Sequence, residues 1–178
     1  MWLMGLNEEF KEARDWVENE MVVAQNKDVN LFETTIRVLG GLLSAYHLTK
    51  DHMFLEKATD LGDRLLHAFA TSSHIPYSDV NLYTLKAHAP KWGPDSSVSE
   101  VTSIQLEFRD LSQLTGNKVY QETADRSLDK VQVSRMNVYM YFYSFMLMIF
   151  LLLKYSSTLS SVVITLSILV SVILVKDL

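Results

Sequence analysis

The 178-residue chain has no cysteine, which excludes disulfides and thiolate metal sites. It has no excess of positive charge either. Sixteen Lys and Arg face 21 Asp and Glu, for a net charge of −5, and no basic cluster stands out, so a nucleic-acid partner is not expected. His47, His52, His67, His74 and His88 show no metal-ligand spacing, and scattered surface histidines are the reading they favour. The N-terminus is not a signal peptide, because acidic residues begin at Glu8, before a long apolar run can form.

The last forty residues lack most of the alphabet. From Met136 to Leu178 there is no Gly, Pro, Ala, Glu, Gln, Arg, His or Trp. Two apolar runs remain, 138–153 and 155–175, and a membrane span needs about 20 apolar residues. A hydrophobic C-terminal helix, serving as a transmembrane segment, is one expectation for residues 132–178. The other is a translated intron. The tail is rich in residues whose codons carry a central U, and Val133-Ser134 can be encoded by GUAAGU, a common intron start. Both readings stay open.

The rest of the chain is organised around residues 29–48. Phe32, Ile36, Leu39, Leu43 and Tyr46 recur at three- and four-residue spacing, and Val38 and Leu42 widen that stripe. The pattern predicts a largely enclosed helix from about Leu31 to Leu48, capped by Asn30. Gly40-Gly41 costs such a helix roughly 1 kcal/mol per glycine relative to alanine, which suggests close backbone approach by a neighbour. Glu33 and Arg37 stack one turn apart. Spacing alone favours an exposed ion pair. The apolar setting favours an enclosed carboxyl of raised pKa, which is what a general acid requires.

Other helices are expected from Asn7 to about Met21 (burying Phe10, Ala13, Trp16 and Val17), His52 to Ala70, Val98 to Leu114, and Lys118 to Val133. Asp51 is the candidate cap of the second of these. Residues 71–97, with prolines and many serines, read as a long loop. An echo at an offset of 66 residues matches Leu48-Thr49 with Leu114-Thr115, Glu56 with Glu122 and Ala58 with Ala124. It suggests repeated helical hairpins.

Several stretches together resemble the class I α-1,2-mannosidases, glycoside hydrolase family 47. They are Met1-Trp-Leu-Met-Gly-Leu6, Glu9 to Val17, the 29–48 helix, Phe54-Leu-Glu-Lys-Ala58, Ile75-Pro-Tyr-Ser-Asp-Val-Asn81 and Glu100 to Arg109. The wording is closer to the endoplasmic-reticulum members than to the Golgi ones, and the resemblance spans about residues 1–130. It implies an all-α fold, a partial (αα)7 barrel of about two hairpins, over residues 1–131.

It also implies inverting hydrolysis of terminal α-1,2-linked mannose from high-mannose N-glycans. Glu33 would be the general acid. Arg37, Ser78 and Glu100 would bind the sugar. Tyr77, Tyr83 and Trp92 in the loop are candidates for stacking on sugar rings, with packing back on the body of the domain as an alternative of at least equal weight. Read from the residues alone, Ser78 is a turn residue and Glu100 a first-turn acid complementing the helix dipole.

The family's Ca2+ would be the cofactor, but the threonine that anchors it and the catalytic base fall beyond the resemblance. The chain is therefore expected to be a truncated, inactive form whose start falls within the family's first helix. The resemblance places it at an endoplasmic-reticulum or Golgi membrane. The alternative is a non-catalytic helical module, tethered to a membrane by its tail, that binds mannose glycans or a partner protein.

Overall fold

The computed structural model describes residues 1–90, 93 and 96–133. The expectations for the apolar tail from Ser134 onward and for Trp92 lie outside the described residues. Among the described residues no helix is long and apolar enough to cross a membrane.

A short 3-10 turn at Trp2–Met4 leads into α1 (Asn7–Asn19), which starts after Leu6 without a side-chain cap. Phe10 and Val17 pack against the core, while Trp16 stays 57% exposed. Sequence periodicity buries Trp16, and the structure corrects it. Six residues beyond Phe10, Trp16 is turned some 120° away from the face that Phe10, Arg14 and Val17 share. That face is fixed by polar contacts as well. Arg14 Nε donates to Asp51 Oδ2 at 2.6 Å, and Lys57 Nζ donates to the Met21 carbonyl at 2.8 Å.

The central helix forms with its expected cap: Asn30 Oδ1 accepts the Glu33 N–H at 2.9 Å. It is not uniform. Helix α2 (Leu31–Thr34) runs into a widened, π-helical turn (Thr35–Leu39), and α3 (Gly40–Thr49) continues from it. The Gly40 N–H donates to the Thr35 carbonyl, five residues back. The buried positions are Leu31, Thr35, Leu39 and Leu43, with Leu42 beside them. A spacing of four drifts about 40° per step around a 3.6-residue helix. The wider turn takes up that drift and keeps the row facing the core. Val38, expected within the apolar stripe, is exposed as a result.

Asp51 caps α4 (His52–Leu65) through the Met53 N–H, and a 3-10 turn (Leu66–Phe69) comes next. Helices α3 and α4 form one hairpin. Helix α5 (Val98–Ser103) breaks at Ile104, and α6 (Gln105–Thr115) stops at Gly116 in the left-handed conformation. Helix α7 (Val119–Val133) completes a second hairpin with α6. Gln105 Nε2 to the Ala124 carbonyl at 2.7 Å and Ser112 Oγ to the Asn117 carbonyl at 2.7 Å tie this hairpin together. Phe54, Ala58, Leu61 and Leu65 of α4 meet Phe108 and Leu111 of α6 and Tyr120 and Ala124 of α7 in one core.

The all-α expectation needs one correction. Strands β1 (Asp28–Asn30), β2 (Asp79–Asn81) and β3 (Ala87–His88) form an antiparallel sheet in that order. The region read as a plain loop supplies two of the strands. Asn81 is the reason: its Oδ1 accepts the Tyr83 and Thr84 N–H groups, and its Nδ2 reaches Asp28 at 3.0 Å. One side chain thus shapes the β2–β3 turn and links it to β1.

The close approach anticipated at Gly40-Gly41 also differs in the structure. A Cβ on Gly41 would meet nothing within 4 Å, and one on Gly40 would make ordinary 3.5 Å contacts. The glycine that a neighbour crowds is Gly62, where a Cβ would overlap Leu111 Cδ2 and meet Tyr120 Cε1 at 3.4 Å.

Candidate active site

The sheet positions the start of the central helix. Asn30 pairs with Asp79 in register, and the Leu31 N–H donates to the Ser78 carbonyl at 2.7 Å. Ser78 is thereby buried against the first turn of α2. From the other side α5 brings Glu100, in its own first turn. Leu31, Phe32, Pro76, Tyr77, Ser78, Glu100 and Val101 line one narrow cleft of about 10 Å3, room for about one water molecule.

Glu33 comes directly after Phe32. Its Oε2 meets Arg37 Nη2 at 2.6 Å, with the Glu33 side chain 45% exposed and the Arg37 side chain 25% exposed. The structure therefore brings Ser78 and Glu100 into one cleft and pairs Glu33 with Arg37 beside it. Glu33 is not the enclosed carboxyl that the apolar stripe suggested. The widened turn carries Arg37, whose Nε is buried without a hydrogen-bond partner. Tyr77 lines the cleft, whereas Tyr83 stands exposed in the β2–β3 turn.

The acid with an enclosed carboxyl is Glu107, half-buried on α6, with its Oε2 cut off from solvent. Burial pushes its carboxyl up to about 7; its own N–H opposes that shift, and Asp110 adds to it. Its Oε2 has no hydrogen-bond partner. Sequence reasoning placed Glu107 within a motif and gave it no role. A signal was present: Glu107 sits three residues after Ile104 and four before Leu111, both fully buried, while its apolar neighbour Leu106 is 65% exposed. An acid holding the core-facing place beside an exposed leucine inverts the usual pattern.

Residues 1–144 match Glycosyl hydrolase family 47. The chain belongs to that family. Over 125 residues it is 62% identical to the rat endoplasmic reticulum mannosyl-oligosaccharide 1,2-alpha-mannosidase, covering 70% of this chain and 19% of the rat protein. Over 126 residues it is 60% identical to the human enzyme of the same name, covering 71% of this chain and 18% of that protein. An α-1,2-mannosidase from Trichoderma reesei superposes with a TM-score of 0.62 at 30% identity, over 71% of this chain and 29% of the other. The family match thus extends past α7, whereas the chain spans about a fifth of the length of the curated relatives it matches.

The threonine that the resemblance gives as the Ca2+ anchor lies beyond the stretch that carries the resemblance. Among the described residues no three acidic or histidine groups converge to hold a metal ion.

Proposed function

We propose that this chain carries the acid-bearing part of an inverting α-1,2-mannosidase that trims high-mannose N-glycans in the endoplasmic reticulum. Its two helical hairpins read as a segment of an (αα)7 barrel. The observation that supports this is the Glu33–Arg37 pair, held at 2.6 Å one residue from the cleft shared by Ser78 and Glu100. Relatives named as endoplasmic reticulum mannosidases point to the same compartment and substrate class.

Each residue has a role that its chemistry fits. Arg37 presents a planar fork to the Glu33 carboxylate and fixes its orientation. Ser78 and Glu100 offer hydroxyl and carboxylate partners to sugar hydroxyls, and Tyr77 offers an aromatic face. Glu33 delivers a proton to the glycosidic oxygen. That requires a protonated carboxyl at the moment of transfer, and a seated sugar supplies the enclosure that the half-exposed Glu33 side chain lacks. Inversion needs a second carboxyl across the sugar, about 6.5–9.5 Å from the first, to activate water. Resemblance assigns that base to none of the four site residues, so sugar binding is the property to test at these four.

Two-dimensional NMR of the labelled chain with methyl α-mannoside tests the reading. Shifts are expected at Phe32, Glu33, Arg37, Ser78 and Glu100. Shifts confined to the larger cleft between α4 and α7, lined by Asp63, His67, His74 and Arg126, would refute it. So would the absence of any shift at the five residues.

A further inference from the structure

Glu107 faces the widened turn from α6. Its Cγ and Oε1 lie 3.5 Å from the point that a Cβ on Gly40 would occupy, and the Thr35 carbonyl lies 3.5 Å from the same point. That carbonyl is the one that accepts the Gly40 N–H across the widened turn. Glu107 Oε2, Thr35 Oγ1 and Arg37 Nε are all buried without a partner. An apolar side chain could pack on Gly40 without leaving a buried carboxyl oxygen unpaired, which is costly.

We propose that Glu107 is a positioning residue for the Glu33–Arg37 pair. Seated on Gly40, it holds the Thr35–Leu39 turn, and with it the guanidinium that orients the Glu33 carboxylate. The link to catalysis rests on the mannosidase reading above; the positioning does not.

The seat is made for an uncharged acid. Asp110 lies one turn along α6 and is itself bound by His47 of α3 at 2.8 Å. Arg37 of the turn is engaged by Glu33. Helix α4, packed on α6 at Gly62 and Leu111, carries Asp60 and Asp63, which are held by Arg64 and Tyr120. On the α7 side Arg109 pairs with Asp125. His47, Arg64 and Arg109 are engaged elsewhere, and Arg37 is engaged by Glu33 through Nη2 alone. Ionising Glu107 therefore places a desolvated charge against the turn, next to the like charge of Asp110.

The test tracks the turn directly, in the full labelled chain, from pH 5 to 8.5. In the wild type, the amide signals of Thr35–Leu39 and the Arg37 Nε–H signal should move together with a midpoint near pH 7. Glu107→Gln should hold the low-pH positions throughout. Glu107→Ala should lose them at every pH. Turn signals that do not titrate in the wild type overturn the proposal. A titration that persists in Glu107→Gln also overturns it, even if the alanine variant does not fold. Added methyl α-mannoside, read at Ser78 and Glu100, tests the other reading separately. An intact turn titration without mannoside binding overturns the mannosidase reading and supports the positioning role.

Discussion

Replacing Glu107 with glutamine should make the protein more stable above neutral pH, and the size of the gain is set by burial. The carboxyl titrates near 7 in the folded chain, against 4.5 as its ordinary value. Between those values the folded state holds a proton that the unfolded chain has released. Stability therefore falls as pH rises through that window and levels off above it. A displacement of this size corresponds to about 3 kcal/mol. Below pH 4.5 acid and amide are both neutral, and the two proteins should be alike. At pH 8 the glutamine variant should be more stable by up to about 3 kcal/mol, or roughly 6–12 °C in Tm for a chain of this size. Urea unfolding at fixed pH from 4 to 9 measures the difference, and titrations common to both proteins cancel. Parallel stability curves, or a variant weaker than wild type at pH 8, would refute the assignment of Glu107 as the buried, proton-holding acid.

Gly62→Ala should destabilise by about 1–3 kcal/mol despite alanine's helix propensity, because its methyl would overlap Leu111 inside the core. Gly41→Ala, with open space around the new methyl, should stabilise by about 0.5–1 kcal/mol in the same denaturation assay. Asp51→Ala removes the α4 cap and the Arg14 contact and should cost about 1–2 kcal/mol. The Arg14 hydrogen bond holds the Asp51 carboxyl below its usual 3.8, so this contribution is present above that pH and fades as pH falls further. Glu33→Gln breaks a half-exposed pair and should change stability by less than about 1 kcal/mol; a larger loss would mean that the pair is structural before it is chemical.

The helical elements were legible because their signals are local. Asn30 and Asp51 cap where the sequence said they would, and the two hairpins derive from apolar spacing and the stop at Gly116. Ser78 and Glu100, 22 residues apart, were joined in advance only by resemblance. Each has an ordinary local explanation, and nothing short-range says that a β-bridge and a broken helix bring them to one cleft. The sheet was missed because its strands are two or three residues long, and their pairing depends on Asn81 reaching a segment 53 residues away.

Burial was the quantity that sequence periodicity misjudged. A 3.6-residue projection put Val38 inside, but the Gly40–Thr35 bond widens the turn that carries it; Glu33, ahead of that turn, is half exposed beside Arg37. The sequence by itself determined the family, the capped helices and the four-residue spacing that pairs Glu33 with Arg37. Only the tertiary structure decided which carboxyl is enclosed. Desolvation depends on what another helix lays over a side chain, and Glu107 acquires its raised pKa from α6 packing onto Gly40, some 67 residues away along the chain.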